Sequence, residues 1–226
     1  NGYSILPQFF SGEEVDCINK AIDQLVEKGK AKWQYQTKIM FAIEQSKYLK
    51  SIGNNPQLLR ILGLLLGRKV TLFQSINFLI GSEQHTHSDT VHMTTFPLGY
   101  MAAVWIALED ITLENGPLHY YPGSHQLPYV LNPDFSQGGN QWWLGKNLNK
   151  SYEERIGKML KENELKKNVF CAKKGDLFIW HANLLHGGEP HLNKALTRKS
   201  MVLHYFANDV ICYHEISQRP SLRENP

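Results

Sequence analysis

Cysteine is scarce in this chain. Its 226 residues carry three, Cys17, Cys171 and Cys212, and no two of them form a CxxC pair. An odd, scattered set excludes a disulfide framework and a thiolate zinc site as organising features, so a reducing, cytoplasmic setting is expected. Long apolar runs are lacking too: the longest, ILGLLLG at 61–67, is far short of the roughly 20 residues that a membrane-spanning helix needs. The opening NGYSILPQFF has neither the basic start nor the uninterrupted apolar stretch of a secretory leader, and no signal peptide is expected in it. Charge of one sign is not in excess. Lys and Arg number 24 against 21 Asp and Glu, a formal net charge of +3, and like charges cluster only as pairs such as Lys166-Lys167 and Lys173-Lys174. That distribution offers no basic face to nucleic acid. Neither an internal repeat nor a low-complexity tract is visible. What is there is the composition of a folded globular chain, 42% hydrophobic and 20% charged, long enough to bury a real core as one domain over 1–226.

The first quarter reads as helical. Ser11 followed by Glu14 forms a capping-box pattern, and Val15, Ile18, Ile22 and Leu25 recur at helical spacing toward Gly29, which predicts an amphipathic helix. Pro56 and Gly67 bracket a second helix that would turn Leu58, Leu59, Leu62 and Leu66 to a core. A helical flank over about 1–68 is therefore expected. From residue 69 the pattern changes to short β-branched or aromatic segments between Gly, Pro, Asn and Asp. These are KVTLFQSINFLIG, YMAAVWIALEDI, PLHYYPGSH, GDLFIWHANLLHGG and RKSMVLHYFAN, and they predict a closed or sandwiched antiparallel sheet over about 69–210. Asn115-Gly116 predicts a hairpin and Pro122-Gly123 a second turn. An insertion over about 126–168 interrupts the strands. Its second half, SYEERIGKMLKENELKK, reads as a helix. The stretch 134–152, DFSQGGNQWWLGKNLNKSY, is too long and too aromatic for a plain connector. It is expected to be a lid hinged at Gly138-Gly139 and Gly145, with Trp142 and Trp143 covering the mouth of the barrel.

The chemistry concentrates in QHTHSDTVHM at 84–93. Of its histidines only His87 is followed two positions on by a carboxylate, Asp89. On an extended segment such residues point to one side and converge on one ion. His85 lacks that partner, and His92 is on a different phase. A third ligand is offered by His186 in KKGDLFIWHANLLHGG, at the end of a strand and just before two glycines. Two histidines and one carboxylate on one face of a divalent metal leave the opposite face open, the arrangement non-haem iron(II) oxygenases use. Against this stands the ordinary fate of histidines, which are mostly solvated or satisfied in a core. Further on, Arg198 and Ser200 in TRKSMVLHYF share one face of a strand. An arginine fork with a hydroxyl beside it suits a carboxylate; the alternative for Arg198 is a surface charge.

Taken in order, HSD at 87–89, VWIALEDITLENGPLHYYPGSH at 104–125, KGDLFIWHANLLHGG at 174–188 and TRKSMVLHYF at 197–206 resemble the phytanoyl-CoA dioxygenase family of iron(II)- and 2-oxoglutarate-dependent oxygenases. The opening NGYSILPQFFSGEEVDCIN resembles that family's N-terminal strand and helix. The resemblance implies a mainly β fold, a double-stranded β-helix or jelly-roll, cupin-like barrel with flanking N-terminal α-helices. It implies Fe(II) held by His87, Asp89 and His186, with 2-oxoglutarate and O2 as co-substrates and Arg198 paired with the distal carboxylate of 2-oxoglutarate. Ser200, Trp105 and Gln84 match positions of further co-substrate contacts, Trp105 being otherwise a core indole. Two departures stand out: Gly188 occupies a position where some members have a hydroxyl, and INFL at 76–79 lacks the lysine that some members carry. In halogenating relatives a small residue replaces the carboxylate, so Asp89 favours hydroxylation of a small-molecule substrate. A silent binding module, or a cupin-like site without 2-oxoglutarate, are the alternatives. His92, His119, Tyr121, His125 and Trp142 are the candidate substrate contacts, with Asn115 read as a turn former.

Overall fold

The structure is a computed structural model and describes residues 1–35, 37–131, 134, 148–215 and 219–220. Residues 135–147 of the expected lid, including Trp142, Trp143, Gly138-Gly139 and Gly145, lie outside the described residues. A seven-stranded antiparallel sheet dominates. It runs in the order β1 (Tyr3–Leu6), β9 (Leu177–His181), β6 (Met101–Ala107), β11 (Ser200–Ala207), β4 (Val70–Phe78), β3 (Lys38–Met40) and β2 (Lys32–Gln34). Facing it are two three-stranded sheets: β10 (His186–Gly188), β7 (Leu118–Tyr120) and β8 (Asn168–Phe170), then β13 (Arg219–Pro220), β12 (Ile211–His214) and β5 (Met93–Phe96).

Strict alternation along the central strands divides the interior into two cores. Ala102, Val104 and Ile106 of β6, Leu177 and Ile179 of β9, and Met201, Leu203 and Tyr205 of β11 pack outward against helices. Their neighbours Ala103, Trp105, Ala107, Phe178, Trp180 and Val202 pack inward, with Leu118, Tyr120 and Phe170 from the facing sheet. Side chains two apart in a strand share a face, so residues 198, 200, 202 and 204 belong to the inner side.

Four helices cover the outer face: α1 (Gly12–Glu27), α2 (Ala42–Gln45), α3 (Lys47–Gly53) and α4 (Pro56–Leu66). The capping box forms as expected, with Ser11 Oγ accepting from Glu14 N–H at 3.2 Å and Glu14 Oε2 accepting from Ser11 N–H at 2.8 Å. Such a cap stabilises a helix by about 1 kcal/mol. Val15, Ile18, Ile22 and Leu25 are all buried, as are Leu58 and Leu62 of α4. Burying each such side chain contributes roughly 1.5–3 kcal/mol. Leu59 and Leu66 pack more loosely against the same core.

Three sequence expectations need correction. The first 68 residues are not purely helical, because β2 and β3 form a hairpin that extends the large sheet beyond β4. The strands run on past residue 210, to β12 and β13. Asn115-Gly116 does not close a hairpin: the turn falls at Leu113-Glu114, Asn115 forms an isolated bridge with His191, and β6 and β7 lie in different sheets, so the segment between them crosses from one to the other. Asn115 is buried there, its side-chain amide donating to Asp110 O and Thr197 O while its oxygen accepts from Thr112 N–H. The predicted helix of the insertion is present as α5 (Leu148–Glu162). No helix among the described residues is long and apolar enough to cross a membrane.

Candidate active site

His87 and His186 face each other across an antiparallel bridge in which each backbone N–H donates to the other's carbonyl at 2.9 Å. Opposed residues of such a pair project to the same side, and the two ring centroids are 4.5 Å apart. Each Nδ1 lies against a carbonyl two residues back, His87 at 2.8 Å from His85 O and His186 at 3.0 Å from Leu184 O. A protonated Nδ1 donating to that carbonyl leaves Nε2 as a free lone pair, the tautomer that suits a metal. Behind His186, Gly187 has no room for a side chain, since a Cβ would stand 2.6 Å from Gln84 O and 2.7 Å from His119 Cε1.

Asp89 arrives differently from the simple extended picture. It opens a single 3-10 turn, Asp89–Val91, that bends its carboxylate toward the histidines. One oxygen, Oδ1, lies 3.6 Å from His186 Nε2. The other, Oδ2, accepts from Trp180 Nε1 at 2.7 Å and stands 3.8 Å from His204 Nε2. Donor atoms of His87, Asp89 and His186 all lie within 4.8 Å of one another. Burial pushes the Asp89 carboxyl upward, yet His186, His204 and His87 around it prevail and hold it well below the usual carboxylate range. Burial, then the neighbouring His186, holds the His87 imidazole well below its ordinary value. Two imidazoles and one ionised carboxylate are a donor set that fits a divalent transition metal. The segment between the ligands is braced from α5: Ser88 N–H donates to Tyr152 Oη at 2.9 Å.

These residues line a cavity of about 450 Å³ on the inner face of the large sheet. Arg198, 2% exposed, reaches into it. Its Nη1 donates to Ser200 Oγ at 2.7 Å and its Nε to Gly116 O at 3.1 Å, which aims the remaining donors inward. Burial lowers its pKa to about 10, so it is a cation at neutral pH. Trp105 is buried beside it, ring centroid 5.8 Å from Arg198 Cζ, and its Nε1 has no hydrogen-bond partner among the described residues. An orphaned indole N–H on a cavity wall fits a ligand acceptor. Gln84 also lines the cavity, and so does the solvent-exposed His92.

The hairpin-derived candidates do not line it. His119 points away, with Nε2 2.9 Å from Thr86 Oγ1 and Nδ1 at ion-pair distance, 2.8 Å, from Glu189. Tyr121 packs against the cluster of Val91, Tyr152 and Ile156. His125 sits by His181, ring centroids 5.8 Å apart. The reason is topological: β7 belongs to the facing sheet, where it turns Tyr120 inward to the apolar core and His119 toward Gly187. Trp142 lies outside the described residues. Conversely, His204, Trp180, His214 and Lys38 line the cavity unforeseen. His204 was reachable by extending the alternation of Arg198 and Ser200 along β11, and Trp180 by the alternation of β9. Lys38 carries no local signal; only the pairing of β3 with β4, register Lys38 to Phe78, brings it in.

An antiparallel jelly roll with helices on its outer face and a His-Asp-His cluster in its inner cavity defines the class: a cupin-like double-stranded β-helix with a site able to hold a metal. Within that class the chain belongs to the phytanoyl-CoA dioxygenase (PhyH) family, which its residues 1–200 match. It is 39% identical over 156 residues to phytanoyl-CoA dioxygenase domain-containing protein 1 of Rattus norvegicus, a stretch covering 64% of this chain and 48% of the relative. The chain thus spans about half the length of the curated relatives it matches. Among solved structures, the non-heme alpha ketoglutarate dependent carbocyclase SnoK from nogalamycin biosynthesis superposes with a TM-score of 0.74 at 18% identity, over 98% of this chain and 84% of SnoK. EctD from S. alaskensis, solved with 2-oxoglutarate and 5-hydroxyectoine, gives 0.68 at 21% identity, over 92% of this chain and 72% of EctD. At these identities the likeness speaks for the fold.

Proposed function

We propose that the protein is an iron(II)- and 2-oxoglutarate-dependent dioxygenase that hydroxylates a small-molecule metabolite with release of succinate and CO2, and that residues 1–226 act as one oxygenase domain. The observation that carries this reading is the convergence of His87, Asp89 and His186 within 4.8 Å in the same cavity that Arg198 enters. Family membership and neighbours described with alpha ketoglutarate or 2-oxoglutarate support it. His87, Asp89 and His186 would hold the metal, and the donor set fits iron(II). Iron bound there supplies O2 activation coupled to the decarboxylation of 2-oxoglutarate. Arg198 binds the distal carboxylate through the donors that Ser200 and Gly116 leave unused, and Trp105 Nε1 and Gln84 offer further hydrogen bonds. Trp180 holds Asp89 so that Oδ1 faces the histidines. Phe78, Val202 and Leu118 exclude water from the walls, which strengthens every charge interaction within.

Anaerobic addition of iron(II) and 2-oxoglutarate is expected to give the weak visible charge-transfer band of a keto acid chelated at an open facial site. A succinate-release screen across acyl-CoAs, free amino acids and small metabolites then finds the substrate. Absence of both the band and any succinate formation would overturn the proposal.

A further inference from the structure

Tyr152, Ile156 and Met159 recur at helical spacing and form the buried apolar stripe of α5. They share one core cluster with Val91, two residues after Asp89, and Leu185, one residue before His186. The helix is thus seated among residues that flank ligands from both segments. Within this apolar contact runs a polar chain: Tyr152 Oη lies 3.2 Å from Ser88 Oγ, Ser88 Oγ 2.6 Å from Thr90 Oγ1, and Thr90 Oγ1 3.4 Å from Asn183 Oδ1. All four residues are buried. One ordering of protons satisfies every bond. Asn183 Nδ2 donates to His125 O at 3.2 Å and to Leu127 O at 2.9 Å, so its oxygen is left to accept from Thr90. Thr90 therefore donates to Asn183, Ser88 to Thr90, and Tyr152 to Ser88.

The phenol oxygen in turn accepts the Ser88 backbone N–H at 2.9 Å. That N–H belongs to the peptide leaving His87, whose carbonyl accepts from His186 N–H at 2.9 Å. The peptide unit between His87 and Ser88 is therefore held on both sides, by the partner ligand's strand and by α5. A buried N–H without an acceptor is costly. Without the phenol oxygen this peptide would rotate toward another acceptor, and His87 and Asp89 on either side of Ser88 would turn with it. Resting on the metal site of the function proposed above, and not on its co-substrate or reaction, we propose that Tyr152 is a positioning residue for that site: its hydroxyl, ordered through Ser88, Thr90 and Asn183, holds the peptide between the first two ligands in the conformation that binds a divalent metal.

The test is an anaerobic cobalt(II) titration of the full chain. Tyr152→Phe keeps the ring in its cluster and removes only the oxygen; it should weaken cobalt binding about tenfold, the lower end of the range for losing a partner behind a metal ligand. Thr90→Val takes the acceptor from the Ser88 hydroxyl and should weaken binding in the same direction. The double variant should lose little more than the worse single, because both changes cut one chain. Ile156→Val trims a methyl from the same apolar cluster and is the packing control: it should lower the urea midpoint of the metal-free protein while cobalt affinity stays within twofold of the parent. The proposal is overturned if Tyr152→Phe binds cobalt within twofold of the parent, if Ile156→Val weakens it equally, or if the two chain-cutting variants simply add. Should Tyr152→Phe not fold, Thr90→Val against Ile156→Val decides at the same thresholds. A parent chain that binds no cobalt overturns this inference together with the metal site. A parent chain that binds cobalt but gives neither the 2-oxoglutarate band nor succinate sinks the dioxygenase reading alone, and the comparison of variants still reads the role of Tyr152.

Discussion

Trp180→Phe is the most informative single change to the candidate metal site. Trp180 is 2% exposed and donates its indole N–H to Asp89 Oδ2 at 2.7 Å, while its ring packs 4.7 Å from His186, centroid to centroid. Phenylalanine keeps the aromatic contact in the inner core and removes the donor. The next group to Oδ2, His204 Nε2, is 3.8 Å away, too far to replace the lost bond without movement. A hydrogen bond to a charged carboxylate is worth roughly 1.5–3 kcal/mol, and tenfold in affinity is about 1.4 kcal/mol. The expected weakening of metal binding is therefore between about ten- and about a hundredfold, the range typical for the loss of a partner behind a metal ligand. The assay is an anaerobic titration with cobalt(II), followed by its visible absorption, on the variant and the parent chain. At saturating metal the 2-oxoglutarate affinity should be unchanged, because Trp180 does not touch Arg198. A cobalt affinity within twofold of the parent, in a variant whose near-ultraviolet circular dichroism shows intact packing, would refute the idea that Trp180 orients Asp89.

Three further outcomes follow from the same geometry. Asp89→Ala should abolish coupled oxidation and metal binding while leaving far-ultraviolet circular dichroism unchanged, because the carboxylate sits in a cavity rather than in either apolar core; succinate formation at the parent rate would remove Asp89 from the ligand set. Arg198→Ala should raise the 2-oxoglutarate requirement by one to two powers of ten, about 1.5–3 kcal/mol for a lost charge-assisted pair, and an unchanged requirement would move the carboxylate anchor elsewhere. Burial holds the His119 imidazole down to about 4, below the ordinary histidine value of 6.5. The unfolded chain thus binds more protons across that window, so the stability contribution is complete above about 6.5 and is lost as pH falls toward about 4. Urea midpoints of His119→Gln should fall less over this range than those of the parent; parallel curves would show that His119 does not carry the acid sensitivity.

Short-range rules made part of this protein legible from its residues alone. Ser11 and Glu14 bond to each other three residues apart, so the start of α1 is legible in the letters, as is the apolar stripe of Val15, Ile18, Ile22 and Leu25. Alternation along β6, β9 and β11 announced strands with two unlike faces, and that same alternation put Arg198 and Ser200 on one side, where they are bonded. The ordered set of HSD, HGG and TRKS motifs pointed to the family to which the chain belongs. Tertiary structure decided what lies across strand pairings. The bridge between His87 and His186 joins segments far apart in the chain, and nothing local states that their rings meet. Register placed Lys38 beside Phe78 and carried His204 and Trp180 to Asp89. It also turned His119, Tyr121 and His125 away from the cavity, because β7 joins the facing sheet rather than pairing with β6. A side chain's nearest neighbours in sequence are set by the covalent chain, whereas its neighbours across a sheet are chosen by which partner strand buries the most apolar surface, and that is settled only when the fold closes.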